Sequence, residues 1–288
     1  MWFSGPLLPT QYRRTYGGAM SVIDARHLDG VSETALLTLH QRATEASRPD
    51  GIIDDPMAIA LRDGLDYDYQ HFGRTHQATA LRALVFDDIT RDYVAGHPRA
   101  TVVALAEGLQ TSFWRVDNGE ITWLSVDLEP IIRLRQQLLP TSDRLAQCAQ
   151  SALDHSWMDA VDAVDGVLIT AEGLFQYLTA DVVFHLIAAC AERFPKGQLL
   201  FDSVPRFMSR HSQRRGFRLS EHYTSPPMPF WFTADQYPRL RAIPGVRAVR
   251  ELRYPAGRGK IVPWVTRQSY RLPGLARFRA PVTLVEFG

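Results

Sequence analysis

Several absences narrow the class of this chain before any motif is considered. Cysteine is scarce: 288 residues hold only Cys148 and Cys190, which form no CxxC pair and fall inside apolar runs. That excludes a disulfide framework and a cysteine-based metal site, and it fits two reduced core residues of a cytoplasmic protein. No stretch approaches the roughly 18 uninterrupted apolar residues of a membrane span. The opening MWFSGPLLPTQYRR places its charges after a short apolar patch, the reverse of a secretory signal. Lysine is almost missing, with Lys196 and Lys260 the only two among 32 basic residues. The arginines are unevenly spread: from Arg206 onward 16 Lys+Arg face 4 Asp+Glu, a net +12, against −11 for residues 1–205. They are scattered among Pro and apolar positions rather than gathered in blocks, so no nucleic-acid partner is expected. No cluster of metal-ligand residues stands out, and no metal is expected.

The remaining composition, 45% hydrophobic and 22% charged, is that of a globular soluble protein, large enough for one α/β domain with a cap or two small domains. Residues 32–96 carry helical periodicity. SETALLTLHQRATEA offers Ser32 as an N-cap and an Ala35, Leu36, Leu39, Ala43 stripe; MAIALRDGL and THQATALRALVFDDITRDYVAG follow. From residue 100 strands alternate with helices. TVVAL, ITWLSV, RLAQCAQSA, GVLITA and GQLLF read as strands, while LEPIIRLRQQLL and TADVVFHLIAACAERF, the latter capped by Thr179, read as helices. That alternation predicts a parallel sheet with right-handed crossovers. After Pro205 regularity lapses into a polar, then proline- and aromatic-rich stretch, RFMSRHSQRRGFRLSEHYTSPPMPFWF, which reads as an insertion or lid at about 205–235. ADQYPRLRAI, VRAVREL and a closing strand VTLVEFG complete the chain. The expected division is a helical cap over 1–98 and an α/β core over 99–288.

Ligands of open parallel sheets bind beyond the carboxyl ends of the strands, so polar residues at strand ends carry the functional signal. The first strand ends in the turn AEGL, with one glycine, Gly108. Asp127 lies 19 residues further on, where an acid accepts hydrogen bonds from ribose hydroxyls; an N-cap role for the following helix is the alternative. Asp154 follows the third strand and is either an adenine contact or part of a plain turn. Glu172 emerges from an almost wholly apolar strand. The acidic Glu107 and the missing P-loop lysine argue against a bound pyrophosphate. Acids at successive strand ends suit a cofactor with hydroxyls and a cationic centre, which describes S-adenosylmethionine.

Together, VVALAEGLQTSFWRVDN, WLSVDLEPIIRLRQQLLP, SALDHSWMD and ITAEGLFQYL, with GVSETALLTLHQRATEASRPDGIIDDPMA and LRALVFDDIT upstream, resemble the leucine carboxyl methyltransferase-like family. Within it the likeness is to the bacterial branch that includes a polyketide O-methyltransferase, and it runs from about residue 28 to the C-terminus. The resemblance implies a class I methyltransferase, Rossmann-like α/β fold: a seven-stranded, mostly parallel sheet with one antiparallel strand, helices on both faces, an N-terminal helical cap and a lid. It also implies S-adenosyl-L-methionine as cofactor. Arg82 matches the arginine that holds the cofactor carboxylate, Gly108 the last glycine of an LGxG turn, and Asp127 the ribose acid. Asp154 with His155 matches the adenine contact, and Glu172 the acid near the methionine end. Taken alone, Arg82 would read as an ordinary helix-surface ion pair. Two positions depart from the pattern: Ala106 stands for the first glycine and Gln110 for an acid. A methyl group at Ala106 is harmless at negative φ and costly at positive φ.

The implied reaction is methyl transfer to a carboxylate or phenolic oxygen of a small acceptor, acidic or aromatic. A carboxylate would need only an arginine to orient it, and Arg206, Arg210, Arg214 and Arg215 of the lid are available. A phenol would need a base, with His76, His155, His211 and His222 as candidates. A cofactor-binding protein without transferase activity and a protein-carboxyl methyltransferase remain as alternatives.

Overall fold

The computed structural model describes residues 23–288. Seven strands form its centre: β1 Thr101–Leu105, β2 Thr122–Asp127, β3 Leu145–Ala149, β4 Val167–Ala171, β5 Gln198–Asp202, β6 Val246–Leu252 and β7 Val282–Phe287. Their order is β6-β7-β5-β4-β1-β2-β3. Neighbours from β5 through β3 pair in parallel, and β7 runs antiparallel to both β5 and β6.

The central strands are continuous apolar runs because the sheet is covered on both sides. In β1, Val103 and Leu105 enter one cluster with Ile169 and Phe201, while Val102 and Ala104 enter another with Phe86, Trp123 and Leu200. The period of two that separates these faces is strand geometry itself. Each such side chain contributes about 1.5–3 kcal/mol by leaving water. The edge strand β3 is only partly covered: Cys148 is half-buried where a core position was expected, while Cys190 is fully buried.

Helices α1 Gly30–Ala46, α2 Pro56–Asp63 and α3 Ala78–Gly96 precede the sheet. Ser32 is not the cap of α1; the helix begins two residues earlier, after Asp29. Thr179 does stand at the N-cap of its helix, yet its side chain makes no capping hydrogen bond. The cap with a bond is Asp55, which accepts from the Ala58 N–H at 2.9 Å and starts α2 at Pro56. Helices α4 Ser112–Val116, α5 Glu129–Leu138 and α6 Ala180–Arg193 connect the strands.

Beyond β5 come α7 Arg206–Arg215, a two-residue antiparallel pairing of Phe217–Arg218 with Thr224–Ser225, and the aromatic segment. Phe230 and Phe232 are buried, stacked on each other with centroids 6.1 Å apart, and Phe232 meets Phe201 of β5. The FWF run is thus anchored to the core. Helices α8 Tyr237–Arg241 and α9 Ile261–Arg271 flank β6. Helix α9 has no counterpart in the sequence reading; Pro263 in its first turn argues locally against a helix. No helix among the described residues is long and apolar enough to cross a membrane.

Candidate cofactor and acceptor site

Because β1, β2, β4 and β5 are parallel, their carboxyl ends share one edge of the sheet. The chain winds outward in opposite directions from β1 and β4, leaving a crevice between them. A cavity of about 490 Å³ opens there, within the usual range for a small-molecule site. Its wall includes Ala106, Gly108 and Gln110 after β1, Asp127 ending β2, Glu172 after β4 and Asp202 ending β5, with Arg82 from α3 opposite. Five of the seven sequence-predicted residues are therefore brought together: Arg82, Ala106, Gly108, Asp127 and Glu172.

The turn after β1 is shaped by two left-handed residues. Ala106 has φ 48° and Gly108 has φ 60°. The condition under which Ala106 would be harmless is not met, and a left-handed alanine costs about 1–2 kcal/mol. Ala106→Gly should accordingly raise stability by about 1 kcal/mol in chemical denaturation, and an unchanged or lower midpoint would refute that strain. At Gly108 a Cβ would come within 3.3 Å of the Ala35 methyl group, so the glycine also lets α1 approach the turn.

Two buried arginines hold this turn where glycines are few. Arg135 of α5 donates to the carbonyls of Gly108 and Gln110, both at 2.9 Å, and Arg42 of α1 donates to that of Leu109 at 2.7 Å. Arg135 also pairs with Glu107 at 2.9 Å, whose carboxylate accepts from the Ser125 hydroxyl as well. Glu107 is therefore neutralised inside the fold. Repulsion of a phosphate by its charge, expected from the sequence, is corrected to a structural ion pair.

Asp127 is 8% exposed. Its two oxygens accept from the backbone N–H groups of Gly108 (2.6 Å) and Leu128 (2.7 Å). The N-cap position of α5 belongs to Leu128, so the capping alternative for Asp127 falls. Burial pushes its pKa up to about 6 despite those two bonds. Each oxygen keeps a second lone pair for an incoming hydroxyl.

Arg82 is an interior bridge, not a surface pair. Its Nε donates to Glu172 and its Nη1 to Asp202, both at 2.9 Å. Gly173 has φ 73° and leaves room for the guanidinium: a Cβ there would meet Arg82 Nη2 at 3.2 Å. Asp202 also accepts from the Gly173 N–H at 2.6 Å. Burial raises the Glu172 pKa and opposes charge on Arg82, yet Asp202 and Glu172 hold Arg82 firmly cationic. Gln110 donates to Glu172 at 2.9 Å, where an acid would add a like charge. Its own Oε1 is buried without a partner.

Asp154 and His155 are not brought to the cavity. Asp154 is exposed and closes a turn by accepting from the Ser156 N–H at 3.1 Å, while His155 stacks on His185 with centroids 5.6 Å apart. The short helical turn His155–Ala160 buries Trp157 in the core and carries the chain away. Residues 150–153 line the cavity in their place. Asp202 was missed although it obeys the same strand-end rule as Glu172.

Strand-end acids and a cationic guanidinium around one cavity fit S-adenosylmethionine. On this strand order, they define a class I S-adenosylmethionine-dependent methyltransferase. The comparisons agree. The family model for leucine carboxyl methyltransferase matches residues 35–191, and the chain belongs to that family. It is 33% identical over 184 residues to the tetracenomycin polyketide synthesis O-methyltransferase TcmP of Streptomyces glaucescens, covering 62% of this chain and 67% of that one. It is 25% identical over 247 residues to the S-adenosyl-L-methionine-dependent methyltransferase dpfgK of Gibberella zeae, covering 76% and 81%. A solved duf574 family protein from Streptomyces avermitilis shares the fold with a TM-score of 0.57 at 12% identity, covering 88% of this chain and 97% of that chain.

Proposed function

We propose that the protein transfers a methyl group from S-adenosylmethionine to an oxygen of a small, apolar or aromatic molecule, possibilities to which the polyketide chemistry in the name of TcmP adds support. The observation that carries this reading is that one cavity is lined both by polar groups around the strand ends and by apolar side chains from α1 and from the segment after β5. Arg82, Asp127, Glu172 and Gln110 supply the polar lining, and Leu37, Met208, Leu219 and Met228 supply apolar lining. Bound there, S-adenosylmethionine supplies a methyl carbon on a sulfonium sulfur that leaves as a neutral thioether.

In this reading Asp127 accepts from the ribose hydroxyls, and Arg82 faces the cofactor carboxylate with its charge kept by Asp202 and Glu172. Glu172 receives the cofactor's ammonium. Gly108 lets the turn approach the nucleoside, and Ala152 and Leu153 stand where Asp154 and His155 were expected to meet adenine. The apolar walls exclude water and hold an acceptor near the methyl carbon. A cytoplasmic setting is part of the reading, supported by the free Cys148 and Cys190. Calorimetry should show binding of S-adenosylmethionine and none of NAD. Mass spectrometry of a mixed phenol and carboxylic-acid panel should show a methylated product. Binding without any product would favour a catalytically silent protein.

A further inference from the structure

Helix α9 is turned against its own polarity. Ile261, Trp264, Val265 and Leu272 follow helical spacing and form one apolar stripe. A surface helix ordinarily turns such a stripe to the core. Here the four side chains are 75%, 62%, 50% and 51% exposed, and no residue of the helix is buried. Hydrogen bonds hold its inner side instead. The Tyr270 hydroxyl accepts from the Tyr254 N–H at 3.1 Å and donates to the Leu252 carbonyl at 3.3 Å. Arg279 donates to the Ser269 carbonyl and pairs with Glu251 at 2.7 Å. These bonds fix the rotation of α9 and leave the stripe outward. The apolar surface continues past the helix: Phe278 in the following turn and Phe207 of α7 are both exposed and meet with ring centroids 5.7 Å apart.

Charge of one sign borders this surface. Residues 253–279 hold seven Arg or Lys and no Asp or Glu. Arg258 and Arg279 are committed to Glu45 and Glu251. Lys260, Arg267 and Arg271 are exposed and, among the described residues, in no ion pair; their spacing of seven and four sets them along one side of the stripe. Arg206, Arg210, Arg214 and Arg215 of α7 are also exposed and absent from the cavity wall. Apolar side chains beside unpaired cations complement an anionic lipid surface: acyl chains take the apolar groups, and the long arginine and lysine stems let the charges reach the headgroups. Trp264 suits that boundary, with an apolar ring and one N–H donor. A second copy fits poorly, since a two-fold contact through this face would set the same cations against one another. A soluble polyanion would pair with the cations but leave the stripe in water.

We propose that α9, the turn after it and the exposed side of α7 form a docking face for a bilayer rich in anionic lipid, with Ile261, Trp264, Val265 and Leu272 entering the headgroup region. Helix α9 lies in the interface and is too short to span it. Met208, next to Phe207, and Ala280, next to Arg279, line the cavity. The elements that meet lipid therefore also build the cavity wall, and an apolar acceptor dissolved in the bilayer would be concentrated beside it. That last consequence rests on the methyltransferase reading; the docking does not.

The test is co-sedimentation of the full chain with vesicles of phosphatidylcholine alone or in equal parts with phosphatidylglycerol. The mixed vesicles should bind it, the uncharged ones should not, and added salt should weaken the binding. Combining Lys260→Gln, Arg267→Gln and Arg271→Gln should lower affinity roughly 100-fold, because each Lys or Arg near such a surface contributes about fivefold. Combining Ile261→Ser, Trp264→Ser and Val265→Ser should lower it by a similar factor. Both variants should melt at the wild-type temperature, since the changed side chains are exposed. With brominated acyl chains in the vesicles, wild-type tryptophan emission should be quenched, and Trp264→Phe should remove most of that quenching while binding persists. No binding to mixed vesicles, binding that survives both combined variants, or quenching unchanged by Trp264→Phe would overturn the proposal. So would inorganic polyphosphate bound as tightly as the mixed vesicles, or a dimer in sedimentation velocity that the serine variant separates. If a combined variant melts lower, the Trp264→Phe quenching decides. Failure of the wild type to bind S-adenosylmethionine would leave these outcomes as they are and would overturn the methyltransferase site alone.

Discussion

Asp127→Ala should weaken S-adenosylmethionine binding by about 100-fold or more, with little loss of folded protein. A hydrogen bond to a charged group contributes about 1.5–3 kcal/mol, and two ribose hydroxyls facing one carboxylate make a loss near 2.7 kcal/mol a modest expectation, which is 100-fold. The carboxylate is already oriented by the N–H groups of Gly108 and Leu128, so little entropy remains to be lost on binding. Asp127→Asn should fail almost as badly, because its NH2 group would face a backbone N–H. Calorimetry on the three proteins decides: equal dissociation constants would remove Asp127 from the site.

The same residue sets a pH dependence. Its folded pKa lies near 6, above the ordinary value of about 3.9. For such a raised acid the ligand-free fold is favoured by the protonated form, and that advantage declines as pH rises from about 4 to 6; ionisation at pH 7 costs roughly 3 kcal/mol. Accepting from two hydroxyls needs the ionised form. Cofactor affinity should therefore be level above pH 7 and fall as pH drops through 6, approaching tenfold per unit. A flat profile between pH 5 and 8 would contradict this, and Asp127→Ala should flatten it.

Asp55→Ala should be the most damaging single truncation for stability. The Asp55 carboxylate is buried and accepts from Arg42 Nε (2.8 Å), Arg115 Nη1 (2.7 Å), the Thr111 hydroxyl and the Ala58 N–H. Arg115 continues to buried Asp87 at 2.7 Å. Without Asp55, fully buried Arg42 would retain only the Leu109 carbonyl. Stranding a buried charge costs about 3–5 kcal/mol, and the lost cap of α2 adds about 1. At roughly 2–4 °C per kcal/mol, the melting temperature should fall by about 10 °C or more. Glu129→Ala, which breaks the exposed pair with Arg133, should change it by a degree or two. Burial pushes the Asp55 pKa up, but Arg115 and Arg42 outweigh it and hold it low. Its contribution is thus present above about pH 4 and lost only in acid. A small effect of Asp55→Ala would mean that water relaxes around Arg42.

The strands and most helices were legible because their periods are local. TVVAL, GVLITA and GQLLF are short, mostly apolar runs, as strands covered on both faces require. Asp127 and Glu172 were legible because a strand of fixed length ends in a turn, so a residue at that end must stand at the edge of the sheet. Asp154 stood on the same argument, but the turn before Trp157 redirects the backbone after residue 153. A one-dimensional spacing does not contain that choice.

By itself, then, the sequence determined the α/β order, the acid-bearing strand ends and the family likeness, all of which depend on neighbours within a few residues or on ordered motifs. Only the tertiary structure decided how the charges are shared. It turned Glu107 inward to Arg135, drew Arg82 between Glu172 and Asp202, and set the arginines of α7 outside the cavity. Those partners lie up to 120 residues apart in sequence, and the energy of a buried charge depends on what surrounds it in space, which no local pattern records.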